Sequence, residues 1–117
     1  MYMSRNRVRS WDEFSYTIQA GGRHCPIHPQ APKMIKLEKN KQVFDPKDID
    51  LYRRLSVREV ARIQTYPDDF IFYYKSLLDG YKMIGNSVPV KMAEHIGRSI
   101  KEQLTENEKI LDSVLKK

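Results

Sequence analysis

The 117-residue chain is short of several features that define whole classes of protein. It has one cysteine, Cys25, so no internal disulfide can form and a reducing, cytoplasmic setting is the expectation. No apolar run approaches the ~20 residues of a membrane-spanning helix, which removes the membrane as a partner. The opening residues Met1-Tyr2-Met3-Ser4-Arg5 lack the apolar stretch of a secretory signal. Glycine is scarce, with 5 residues, and no Gly-rich loop follows a strand candidate in the manner of a nucleotide-binding turn. There is no internal repeat and no low-complexity segment. What remains is 40% hydrophobic and 31% charged, too apolar for a wholly disordered protein and the length of one small domain. Lys+Arg 21 against Asp+Glu 15 leaves a formal charge of +6, which favours an anionic partner, nucleic acid first.

The chain divides by texture into residues 1–50 and 51–117. The first part holds Pro26, Pro29, Pro32, Pro46 and the Gly21-Gly22 pair, and the second carries the helical patterns. Arg5-Asn6-Arg7-Val8-Arg9 alternates, so an extended backbone puts Arg5, Arg7 and Arg9 on one face. Phe14–Ala20, aromatic and β-branched, reads as a strand stopped by Gly21-Gly22. The prolines from Pro26 to Pro32 forbid a helix there. Met34–Glu38 and Gln42–Phe44 suggest a short hairpin, and Asp45-Pro46 a turn or helix entry. Ser56-Val57-Arg58-Glu59 is a capping box, with Val57, Val60, Ala61 and Gln64 on one helical face and Pro67 beyond the end. A further helix is expected to open at Pro89 with Ala93, Ile96, Ile100 and Leu104 as its stripe, and with Leu111, Val114 and Leu115 extending it. The class is α+β, with an irregular β-rich first half and a helical second half.

Three segments together resemble the C-terminal third of a DNA (cytosine-5) methyltransferase. Tyr52-Arg53-Arg54-Leu55-Ser56-Val57-Arg58-Glu59-Val60-Ala61-Arg62-Ile63-Gln64-Thr65-Tyr66-Pro67-Asp68 is similar to that family's ninth motif. Tyr81-Lys82-Met83-Ile84-Gly85-Asn86-Ser87-Val88-Pro89-Val90 is similar to its tenth. Tyr16–Ala20 with Arg23-His24 and His28-Pro29 resembles the end of the target-recognition region, in the branch that methylates GGCC. The resemblance implies that 1–50 ends the recognition region. It implies that 51–117 is the C-terminal part of a catalytic domain, completing the Rossmann-like fold of a larger enzyme.

On this resemblance Arg5, Arg7 and Arg23 are the DNA-binding residues, since a guanidinium fork can bond guanine O6 and N7 together. Arg9 and Lys33, Lys36, Lys39 and Lys41 are assigned to phosphates, with a charged edge strand as the bland alternative. Arg5-Asn6-Arg7 also mimics the end of the family's eighth motif, Q-x-R-x-R, but Met3 stands where its Gln belongs. Asn86, Ser87 and Val88 are implied to touch S-adenosylmethionine, with simple capping of the next helix as the alternative. Arg53, Arg58, Glu59, Arg62 and Gln64 form either a buried network bracing the recognition region or a solvated helix face. Phe70, Phe72, Tyr73 and Tyr74 are expected to pack between the motifs rather than to stack on bases.

The family's nucleophile lies in a Pro-Cys dipeptide and its catalytic carboxylate in Glu-Asn-Val. Neither occurs here: Cys25 sits in His24-Cys25-Pro26, and the one Glu-Asn, Glu106-Asn107, is followed by Glu108. No catalytic residue is therefore assigned, and no metal site, although His24, Cys25 and His28 lie close in sequence. The chain reads as a subunit or truncated portion of a methyltransferase, needing an N-terminal polypeptide, double-stranded DNA with GGCC sites, and the cofactor. Alone it is expected to be inactive and partly disordered, its helical stripe lacking a sheet to pack on. The competing readings are a free-standing, non-catalytic DNA-binding module and a decayed remnant.

Overall fold

The computed structural model describes residues 7–39 and 41–115, so Arg5 of the arginine series lies outside the described residues. Three helices carry most of the regular structure: α1 (Val57–Ile63), α2 (Leu77–Gly85) and α3 (Val90–Leu115). A two-stranded antiparallel sheet, β1 (Met34–Glu38) with β2 (Lys41–Phe44), precedes them. The chain forms two compact units, Met1–Ser87 and Val88–Lys117.

α1 begins where the capping box predicts. The Ser56 hydroxyl accepts the Glu59 N–H at 3.2 Å, and a Glu59 carboxylate oxygen accepts the Ser56 N–H at 2.7 Å. Its end is a Schellman arrangement. The Thr65 N–H donates to the Arg62 carbonyl at 2.9 Å and the Tyr66 N–H to the Ala61 carbonyl at 3.0 Å. Thr65 occupies the left-handed position with φ 62°, where a β-branched residue is strained and glycine is usual.

α2 is an element the sequence reading lacked. It starts with a second capping box, Ser76 with Asp79, and it contains Gly80, a residue that normally weakens a helix. A Cβ at Gly80 would stand 3.0 Å from Val57 and 3.2 Å from the Tyr74 ring, so glycine is what lets α2 lie against α1. Between them sits a small core of Cys25, Leu55, Val57, Val60, Ala61, Tyr81 and Ile84, with Ile18, Tyr66 and Phe72 packed on it. The Tyr81 hydroxyl donates to the Leu55 carbonyl at 2.6 Å, satisfying the one polar tip that burial would otherwise strand.

The proline-rich segment is laced to the entry of α1 by isolated pairings rather than by a sheet. Ile27 bridges Val8 in parallel and Arg54 antiparallel. The His28 N–H donates to the Arg53 carbonyl at 2.9 Å, and the Leu55 N–H to the Pro26 carbonyl at 3.0 Å. The expected strand Phe14–Ala20 is not one. Tyr16 and Ile18 turn inward and their neighbours outward, as in an extended chain, but no described neighbour pairs with this stretch. Its alternation reports burial on one side; a strand also needs a ladder partner. The hairpin and the entry at Asp45 follow expectation, the Asp45 carboxylate capping a short, kinked 3-10 segment, Pro46–Leu51.

α3 opens one residue after Pro89 and runs to Leu115, so Leu111, Val114 and Leu115 continue it. Considered by itself, this second unit buries none of its side chains, and Ile96, Ile100 and Leu104 are about half exposed. No helix is long and apolar enough to cross a membrane among the described residues.

Candidate nucleic-acid interface

In the first unit two arginines of the N-terminal series meet one ring. Tyr16 lies beneath two guanidinium groups, Arg9 at 4.3 Å and Arg7 at 5.6 Å from the ring centroid. Arg9 also donates to the Glu13 carboxylate at 2.8 Å, and that carboxylate accepts the Ser10 N–H and hydroxyl. The backbone bond from Ser10, with Arg9 behind it, draws the Glu13 carboxyl down to about 2. Arg9 is thus charge-paired within the protein. Both side chains of this pair are about two-fifths exposed, so it is a surface ion pair. Lys33, Lys36, Lys39 and Lys41 are exposed on and beside the hairpin.

Arg7 and Arg23 are exposed, Arg23 on a 3-10 turn at Gly22–His24. Arg7, Tyr16, Thr17, Gln19 and His24 line a common cleft of about 190 Å³. Arg7, Arg9, Glu13, Tyr16, Lys33 and Gln42 border another, toward the hairpin, of about 240 Å³. A third, more apolar cleft of about 220 Å³ has Trp11, Tyr16, Ile27 and His28 among its walls. Hydrogen-bonding groups and positive charge therefore face the same surface, the combination a groove reader requires.

The ninth-motif residues are brought near one another but do different jobs. Arg53 bonds both Glu59 oxygens at 2.8 Å, a bidentate pair at the edge of the core. Glu59 also faces His28 Nε2 at 3.6 Å, tying α1 to the proline-rich segment. Arg53 holds the Glu59 carboxyl down to about 2, with the Ser56 bonds helping. Arg58 donates to the Phe70 carbonyl at 2.8 Å and lies over the Phe72 ring. Arg62 pairs with Asp68 at 2.7 Å, both more than half exposed. Gln64 is buried and donates to the Ile84 carbonyl at 3.4 Å, a contact from α1 to α2. The expected buried network is thus a set of separate, mostly surface pairs, since burying several charges costs more than their attraction returns. The aromatic expectation is corrected too: Phe70, Tyr73 and Tyr74 are exposed, and only Phe72 is half-buried, against Tyr66.

Around the tenth motif the sequence reading put Gly85-Asn86-Ser87 just before a helix start. The structure puts Gly85 at the end of α2. The Asn86 N–H donates to the Lys82 carbonyl at 3.0 Å, the Ser87 N–H to Ile84 at 3.1 Å, and the Ser87 hydroxyl to Ile84 at 2.7 Å. Those amides are already engaged, so they form no anion cradle. The exposed Asn86 carboxamide and the exposed Val88 side chain are the groups that fit a ligand contact. Gly85 has a clearer reason: a Cβ there would stand 2.4 Å from the Gln19 and Ala20 backbone. Glycine is what allows the end of α2 to touch the recognition segment.

Cys25 is buried and its thiol donates to the Leu55 carbonyl at 3.2 Å. Burial pushes that thiol above its ordinary value, the opposite of what activates a nucleophile. His28 Nδ1 accepts the Gln30 N–H at 3.2 Å, leaving Nε2 toward Glu59. Among the described residues no three His, Cys, Asp or Glu side chains converge as a metal group would.

Comparison with known proteins supplies the family. The family described as C-5 cytosine-specific DNA methylase matches residues 1–102, and the chain belongs to that family. It is 68% identical over 103 residues to the Type II methyltransferase M.MthTI of Methanothermobacter thermautotrophicus, covering 88% of this chain and 31% of that protein. Over 117 residues it is 56% identical to the Type II methyltransferase M.FnuDI of Fusobacterium nucleatum, covering 100% of this chain and 34% of that one. With M.NgoPII of Neisseria gonorrhoeae the identity is 55% over 104 residues, covering 89% and 30%. The chain spans about a third of the length of the curated relatives it matches.

Proposed function

We propose that this chain is the C-terminal portion or subunit of an S-adenosylmethionine-dependent DNA (cytosine-5) methyltransferase, inactive without the remainder. In this reading it ends the target-recognition region and completes the Rossmann-like catalytic domain. Arg5, Arg7 and Arg23 contact double-stranded DNA at GGCC sites. Glu59, held by Arg53, braces the His28 segment against α1, Gln64 ties α1 to α2, and Arg58 and Arg62 fix the loop that follows α1. Asn86, Ser87 and Val88 contact the cofactor, which supplies the methyl group when bound. A cytoplasmic setting is in keeping with the lone, unpaired cysteine.

One observation carries the reading: the sole thiol is buried in the apolar core between α1 and α2 and bonded to the Leu55 carbonyl. A chain built this way orients DNA and supports a reactive centre, and it holds no nucleophile of its own. Members of this family attack cytosine C6 with a thiolate, and in this reading that group belongs to the part of the enzyme that these residues do not include.

The test is complementation. The purified chain is mixed with the part of M.FnuDI that it does not match, and transfer of labelled methyl groups to a GGCC duplex is followed. Transfer by the mixture and by neither component alone supports the reading; transfer by the chain alone ends it. Tight, sequence-specific binding with no complementation favours a free-standing DNA-binding module. Neither activity favours a remnant.

A further inference from the structure

Arg7, Arg9, Glu13 and Tyr16 form a unit that the assignment of single DNA-contacting arginines leaves unexplained. Two guanidinium groups share one tyrosine ring, and only one of them has a carboxylate. Arg9 is gripped twice, by the ring face at 4.3 Å and by Glu13 at 2.8 Å, and its Nε is shielded from solvent without a partner. Glu13 is itself anchored by the Ser10 backbone and hydroxyl, so the grip does not depend on Arg9 alone. For Arg7 no carboxylate partner stands among the described residues, and it is exposed. Tyr16 is a wall of all three clefts on this face.

We propose that Tyr16 and Glu13 are positioning residues. They fix Arg9 as a charge-neutral support, so that Tyr16, Arg9 and Glu13 together present Arg7 to a guanine edge in the major groove in one orientation. A long arginine side chain loses rotamer freedom when ordered, and stacking on Tyr16 settles part of that loss before DNA arrives. The pairing of Arg9 also keeps a second positive charge from anchoring the face to phosphates regardless of sequence. The inference rests on the DNA-recognition role proposed above.

The test measures binding of the full chain to a GGCC duplex, a scrambled duplex, and a GGCC duplex carrying 7-deazaguanine, across a range of salt. Tyr16→Ala is expected to lower the preference for GGCC roughly tenfold, within the discrimination one bidentate guanine contact provides. It should also shrink the penalty for 7-deazaguanine. Tyr16→Phe, which keeps the ring face, should retain the preference within about twofold. Glu13→Gln releases the Arg9 charge and should steepen the slope of log K against log salt by about 0.9, one added phosphate contact. A damaged fold moves neither the salt slope in this direction nor the rescue by phenylalanine. Unchanged preference in Tyr16→Ala, or an unchanged slope in Glu13→Gln, overturns the clamp while DNA recognition stands. A wild-type chain that binds no duplex even when mixed with the part of M.FnuDI that it does not match overturns both.

Discussion

The segment from Arg7 to Lys33 and the helix α3 are opposites. α3 is 26 residues of uninterrupted regular structure that bury nothing within their own unit. The earlier segment has one 3-10 turn and two isolated bridges, yet Cys25, Ile27, His28 and Ala31 are all at least 93% buried. Regularity and burial are separate properties. α3 satisfies its backbone internally and needs no neighbour for that. The irregular segment has unmet backbone groups and can persist only where the residues leading into α1 and its own turns accept them. A regular helix with an exposed apolar stripe is the kind of element that waits for a surface. An irregular segment with buried side chains already has one.

Matched substitutions break the comparison most directly. Ile84 is fully buried and Ile100 is half exposed. Ile84→Ala is expected to cost about 2–5 kcal/mol and Ile100→Ala less than about 0.5 kcal/mol, by urea unfolding of the full chain. Equal effects would mean that α3 is packed after all. Gly85 in α2 and Gly97 in α3 should differ in sign. Gly85→Ala drives a methyl group into the Gln19–Ala20 backbone and should destabilise the first unit by about 1–3 kcal/mol. Gly97 has nothing within 4 Å of an added Cβ, so Gly97→Ala should stabilise α3 by roughly 0.5–1 kcal/mol, seen as a gain in far-UV helicity.

Thr65→Gly relieves the left-handed strain at the end of α1 and should raise stability by about 1 kcal/mol, provided the Schellman bonds remain. A loss of stability instead would show that the Thr65 side chain contributes more than its backbone costs.

Stability also depends on pH, and His28 and Glu59 are two of the groups that set it. Burial, with the charge of Arg53 behind it, pulls the His28 imidazole below its ordinary value, and Glu59 opposes this weakly. A group depressed in the folded state binds its proton more readily when unfolded. Stability from His28 is therefore full above about 6.5 and falls as the pH drops through that value. Glu59, held at about 2, adds a second loss that begins near its unfolded value, about 4.5, and ends near 2. His28→Asn should flatten the first step in thermal melts recorded between pH 7.5 and 5.5. Arg53→Met should move the second step upward.

Much of this was readable in advance, for local reasons. The Ser56–Glu59 box marked the start of α1 because a side chain and a backbone three residues apart satisfy each other wherever the chain goes next. The hairpin and the stripe of α3 were legible through their own periods. α2 carried the same kind of box at Ser76–Asp79, but Gly80 in its second turn argued against a helix, and only the closeness of Val57 and Tyr74 explains that glycine. The recognition arginines were visible as residue types. The ring beneath Arg7 and Arg9 and the carboxylate against Arg9 were not, because nothing in the spacing of Arg9, Glu13 and Tyr16 says that they meet.

The amino-acid order by itself determined the caps, the proline-enforced irregularity, the placement of positive charge and the absence of a reactive thiol motif, all settled by residues within a few positions of one another. Tertiary structure alone decided which charges are paired within the protein, why Gly85 has no side chain, and why Cys25 is inert. Each of those depends on atoms far apart along the chain and a few ångströms apart in space, where desolvation and close contact act.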